Sequence, residues 1–168
     1  MRALVAALVL ATAAAACAGA STTAPAEVQR VSRIVDGDTL VLGRGARVRL
    51  LQIDAPEAGG ECYARMATRE LALLAPPGTR VVLEADPALD REDRYGRLLR
   101  YVRVGGANVN VELVRRGAAT PYFYRGERGR HAARLLAAAA SARATRRGMW
   151  GSCRVSWSPT RPVETRSR

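Results

Sequence analysis

The chain has 168 residues, with 27 arginines, no lysine and 15 acidic side chains, which gives a formal charge of +12 and a sequence pI near 11.2. A hydrophobic fraction of 48% excludes an intrinsically disordered chain, and the length allows one domain, or one domain with tails. A folded domain this basic favours an acidic polymer as partner, nucleic acid first and anionic lipid second.

Residues 1–20, MRALVAALVLATAAAACAGA, carry one charge at Arg2, an apolar run from Ala3 to Ala16 and a small-residue end. That pattern predicts a secretion signal. The run is shorter than the ~20 residues a membrane-spanning helix needs, and no later segment is apolar for longer. Two processing readings stand side by side: cleavage after Ala18 or Ala20, or lipid attachment at Cys17 after Ala14-Ala15-Ala16. Ala14 stands where lipoprotein signals usually carry Leu, whereas the polar linker 21–27 suits a tether. The expected destination is secreted (extracellular) on the first reading and a cell-surface lipoprotein, tethered to the membrane through Cys17, on the second.

Either outcome removes Cys17 from the thiol count and leaves Cys62 and Cys153. Two cysteines in an oxidising space usually pair, and a bridge here would close a long loop and stabilise the fold. The alternative is two free thiols. Metal binding by this pair is not expected, because His131 is the only histidine and no C-x-x-C spacing occurs.

From Val28 onward the segments EVQRVSRIV, TLVLG and ARVRLLQI read as three consecutive strands joined by Asp36-Gly37-Asp38 and Gly43-Arg44-Gly45, an antiparallel meander. Residues 61–75 place Cys62, Met66, Leu73 and several alanines at helical intervals before Pro76-Pro77-Gly78, which predicts a helix with a clear stop. Strand character returns at 79–86 and 96–104, on either side of a charged DREDRYG turn. Helices follow at 108–117, ended by Gly117, and from about 128 to 146. Residues 154–168 contain two prolines and no period, and are expected to be a mobile tail. The elements predict an α+β domain, mainly β: a five-stranded OB-fold-type barrel over residues 28–153 with about three covering helices.

With no useful histidine, acid–base chemistry falls on carboxylates. Asp38 opens the second strand, and Asp54 and Glu57 follow the third, which an antiparallel meander lays alongside. Carboxylates brought to one barrel mouth repel unless a cation sits between them, and hard oxygen ligands on flexible loops favour Ca²⁺. Taken alone, Asp36 beside Gly37 is a turn former.

VDGDTLVL, VRLLQIDAPE and DRYGRLLRYV, in this order and spacing and followed by NVNVELVRRGAATPYFY, resemble the staphylococcal nuclease (thermonuclease) family over about residues 28–151. The resemblance implies a Ca²⁺-dependent phosphodiesterase acting on DNA and RNA and leaving 3′-phosphorylated products. It assigns Asp38, Asp54 and the main-chain carbonyl of Ala55 to the metal, Arg49, Glu57 and Arg97 to catalysis, and Asp36 to a supporting acid. Arg94, Tyr122 and Tyr124 match positions lining the nucleotide pocket. Read from the residues themselves, Phe123 fills the core at a strand end, Tyr95 packs in its turn, and His131, on a helix rich in Ala and Arg, lies on the surface. The loop Ala58-Gly59-Gly60 is shorter than in the best-known members. A monomer is expected. The alternative reading is a nucleic-acid-binding OB module without catalysis, against which stands the retention of all five of Asp38, Arg49, Asp54, Glu57 and Arg97.

Overall fold

A computed structural model describes residues 27–168; the signal, Cys17 and nearly all of the polar linker lie outside the described residues. Strands β1 (Glu27–Ile34), β2 (Thr39–Leu42) and β3 (Arg47–Leu50) form the meander, with Val31 opposite Leu42 and Thr39 opposite Arg49. The third strand stops earlier than its apolar run suggests. Gln52 adopts a positive φ of 60° and breaks the run, so Ile53–Asp54 form a separate short strand, β4.

Helix α1 (Ala64–Leu74) buries Ala64, Ala67 and Leu71, spaced three and four apart so that they share one face. Strands β5 (Arg80–Glu84) and β6 (Leu98–Val104) follow, and then the short β7 (Ala107–Asn108). Strand β5 pairs β1 and β6, both antiparallel, and β6 pairs β3 in parallel. These pairings close a five-stranded mixed barrel, which removes the exposed edges of an open sheet. Its core is aliphatic, with Leu40, Val48, Leu50, Val81 and Val102 fully enclosed. Cutting Leu50 to alanine there would cost about 2–5 kcal/mol.

Helix α2 (Val109–Arg115) starts at Asn108, whose side chain accepts the Val111 N–H as an N-cap, and Gly117 follows with φ 70° as the sequence predicts. Strand β8 (Thr120–Pro121) pairs β4. Helix α3 (Ala132–Ala144) turns Leu135, Ala138, Ala139 and Ala142 inward, and α4 (Met149–Ser152) is a single turn.

Two expectations are corrected. Residues 154–168 are not a mobile tail: β9 (Cys153–Ser158) and β10 (Arg161–Ser167) form an antiparallel hairpin, so the folded unit runs past residue 153. Val163 and Thr165 are buried in it, and Val163 packs with Met149 and Cys153. Nor is His131 a surface residue. It is buried edge-on against Tyr101, ring centroids 4.5 Å apart, and that burial lowers its basicity. The predicted pair is bridged, Cys62 to Cys153. No helix among the described residues is long and apolar enough to cross a membrane.

Candidate active site

The turn between β1 and β2 places the first acids. Asp36 accepts the Asp38 N–H at 3.1 Å, a local side-chain turn that fixes Asp38. A side chain at Gly37 has no room, because a Cβ there would lie 2.6 Å from the Ala55 Cβ and 2.7 Å from the Ala67 Cβ. The glycine is therefore a packing requirement: the turn presses on α1 and on the segment carrying Asp54.

Asp38, Arg49 and Asp54 meet where the start of β2 lies beside β3 and β4. Arg49 Nη2 is 3.0 Å from Asp38 Oδ2 and 2.8 Å from Asp54 Oδ1, and Nη1 donates to the Ile53 carbonyl at 2.7 Å. The Ala55 N–H donates to Asp38 Oδ2, and the Thr39 hydroxyl donates to Asp38 Oδ1. Burial pushes the Asp38 carboxyl up to about 7 despite the Arg49 charge beside it, and the negative charges of Asp36 and Asp54 add to the rise. Burial likewise raises Asp54, opposed by Arg49. Burial works against the Arg49 charge, but Asp38 and Asp54 more than offset it and hold the guanidinium above its ordinary value.

These residues fit a hard cation. Two enclosed carboxylates already converge on one positive group, and the pair is under-compensated enough for Asp38 to hold its proton near neutrality. Among the described residues no three His, Cys, Asp or Glu side chains form a metal cage, so a cation would draw on Asp38, Asp54 and main-chain or water oxygens. Ala55 is buried next to Asp54, and its N–H on Asp38 Oδ2 puts its main chain beside both acids.

Glu57 is exposed on the loop after Asp54, and its N–H donates to Glu61 Oε2. Burial first, then the charges of Asp36 and Asp54, raise its carboxyl above the usual range. Arg49 also borders a cleft of about 490 Å³ shared with Arg94, Tyr95, Arg97, Tyr122 and Tyr124. The arginines and tyrosines singled out from the sequence thus line one concave surface, with the acids behind Arg49.

Arg97 is held by Asp93, which accepts both its Nε at 2.6 Å and its main-chain N–H at 3.0 Å. Tyr95 is not packed in its turn as expected. It is exposed, with the Arg94 guanidinium 4.8 Å and the Arg97 guanidinium 5.5 Å from its ring centroid, and its hydroxyl accepts from Arg94. Phe123 is buried as predicted, between the half-buried Tyr122 and the exposed Tyr124.

Asp93 and Glu61 escape a reading of the sequence. The first had a signal, since an aspartate opening the turn D-R-Y-G can bond the amides that follow it. The second had none beyond its position, four residues after Glu57.

A closed OB-type barrel with helical cover and a carboxylate–arginine cluster at the mouth defines the class of this protein. The family model described as "Staphylococcal nuclease homologue" matches residues 47–152, and the chain belongs to that family. It is 34% identical over 116 residues to a thermonuclease of Staphylococcus intermedius, covering 62% of this chain and 65% of that one. It is 31% identical over 137 residues to endonuclease YhcR of Bacillus subtilis (strain 168), covering 71% of this chain and 11% of the relative. With the SPbeta prophage-derived endonuclease YokF of the same organism it shares 39% over 103 residues, 56% of this chain and 34% of the relative. The chain thus spans less than two thirds of the length of these relatives.

Proposed function

We propose that the chain is an exported, Ca²⁺-dependent nuclease that hydrolyses phosphodiester bonds of DNA and RNA to 3′-phosphorylated products. The observation that carries this reading is the convergence of Asp38 and Asp54 on Arg49 beside a cleft lined by Arg97, Arg94, Tyr122 and Tyr124. Relatives named as a thermonuclease and endonucleases support it.

Bound by Asp38, Asp54 and the Ala55 carbonyl, Ca²⁺ would supply positive charge close to the scissile phosphate. Arg49 and Arg97 offer planar forked donors to the equatorial oxygens, where negative charge grows as water adds to phosphorus. Asp93 keeps the Arg97 fork aimed. Glu57, on the loop that follows Asp54, orients the attacking water or takes its proton. The bond to the 5′ oxygen then breaks and the phosphate stays on the 3′ side. Arg94, Tyr122 and Tyr124 hold the nucleotide by charge and by stacking, which tolerates any base. Asp36 acts through Asp38, whose N–H it holds.

The pattern of residues 1–20 supports export, and the Cys62–Cys153 bridge suits an oxidising compartment. Cys17 leaves open a soluble secreted form or a lipid-tethered one. Mass spectrometry of a digested oligonucleotide tests the chemistry: fragments ending in 3′-phosphate are expected, and 5′-phosphate ends would rule out this cleavage direction.

A further inference from the structure

The hairpin β9–β10 lies beyond residues 47–152, the part matched to the family, and it touches the candidate site at three places. The Val163 N–H donates to Asp54 Oδ2 at 2.8 Å, on the carboxylate whose other oxygen faces Arg49. The Thr165 N–H donates to Glu61 Oε1 at 3.2 Å, and Glu61 Oε2 accepts the Glu57 N–H at 2.6 Å. At the hairpin's bend the Pro159 carbonyl accepts the Phe123 N–H at 2.6 Å, and the Trp157 indole donates to the Pro121 carbonyl at 2.9 Å, on either side of Tyr122.

The sequence of the hairpin explains how an amide reaches Asp54. Arg161 pairs with Ser158 and Glu164 with Ser156, so β10 holds one residue more than its partner between these points. That bulge falls at Pro162-Val163. Pro162 has no N–H to lose, and the Val163 N–H is released from the ladder to meet a carboxylate, since bulges re-aim groups beside active sites. Val163 itself is buried, which anchors the amide. The base of the hairpin is fixed to the same loop, because Cys153 opens β9 and is bridged to Cys62, next to Glu61. Thr165 adds a hydroxyl bond to the Cys62 carbonyl and accepts the Cys62 N–H on its own carbonyl.

We infer that the C-terminal hairpin is a positioning element of the active site: Val163 fixes Asp54 through its main-chain N–H, and Thr165 fixes the Glu57 loop through Glu61. The bond to Oδ2 sets the rotation of the Asp54 carboxylate and leaves Oδ1 directed at the centre of the cluster. Partners that orient a ligand from behind commonly change metal affinity about 10–100-fold when lost. The Glu57 loop contains Gly59 and Gly60, both at positive φ, so without the Glu61 tie little else in its own sequence would hold it.

This inference rests on the metal-dependent reading above, and the full oxidised chain tests it. Ca²⁺ affinity is measured by calorimetry for the unmodified protein, for Val163→Pro, which removes the N–H, and for Val155→Ala, which loosens hairpin packing and keeps every amide. Thermal unfolding of each is recorded beside it. The expected result is about tenfold weaker Ca²⁺ binding for Val163→Pro, with Val155→Ala less heat-stable but unchanged in affinity. Glu61→Ala is expected to lower kcat several-fold with KM nearly unchanged. Equal or tighter binding by Val163→Pro, or an equal loss in Val155→Ala, would overturn the inference. If Val163→Pro does not fold, Glu61→Ala decides, and an unchanged kcat overturns it. An unmodified protein that binds no Ca²⁺ would instead bring down the metal-dependent reading, and the inference with it.

Discussion

Arg49 Nη2 stands 3.0 Å from Asp38 Oδ2, in a pocket that leaves both side chains little exposed. The Asp38 carboxyl is pushed up to about 7 by that burial, against an ordinary value of 3.8. Between these values the folded protein binds more protons than the unfolded chain, so this group's contribution to stability falls as pH rises. Without added metal, the unmodified protein is expected to lose stability relative to Asp38→Asn as pH goes from 5 to 7, by at most about 1.4 kcal/mol per pH unit. Denaturant titrations of both proteins across that range check it. His131, whose shift has the opposite sign, cancels in the comparison.

Gly37 is wedged between Ala55 and Ala67. Gly37→Ala is expected to destabilise the fold by about 1–3 kcal/mol, as overpacking of a filled core does. It should also weaken metal binding, because the turn carrying Asp38 must shift. Urea unfolding and a Ca²⁺ titration on the same sample measure both.

The Cys62–Cys153 bridge spans 91 residues and joins the hairpin to the loop before α1. Replacing both cysteines with serine is expected to cost about 2–5 kcal/mol. Equilibrium unfolding of the variant beside the oxidised parent gives the number, and a cost near zero would mean that packing and hydrogen bonds suffice to hold the hairpin.

Tyr124 is 56% exposed at the cleft rim, its ring 5.1 Å from the Arg125 guanidinium. Tyr124→Ala is expected to weaken single-stranded DNA binding by about 1–3 kcal/mol, the worth of one stacked base. The kcat at saturating DNA should change little. Fluorescence anisotropy with a labelled oligonucleotide separates the two.

The barrel strands were legible because Val, Leu and Ile recur between strong turn signals, and the turn Asp36-Gly37-Asp38 marks its own place. The hairpin β9–β10 was hidden by Pro159 and Pro162, which read as breakers. Both sit where a missing N–H costs nothing, one at the bend and one at the bulge. The inward alternation of Val155, Trp157, Val163 and Thr165 was present but short. His131 was misread because the Ala- and Arg-rich helix beside it gives no hint of Tyr101, which is 30 residues away and meets it only in the fold. For the site, residue types and order suggested Asp38 and Asp54, and the family resemblance added Arg49. The ties through Glu61 and Val163 depend on backbone geometry that no spacing encodes, whereas Asp93 opens a turn that the sequence displays.

The most direct test of metal-dependent hydrolysis incubates the purified domain with single-stranded DNA in Ca²⁺ or in EGTA, beside Glu57→Gln. Cleavage by the unmodified protein in Ca²⁺ alone, with Glu57→Gln slowed by about 10²–10⁴-fold, is the predicted result. Intact DNA in Ca²⁺, or equal cleavage in EGTA, would contradict it.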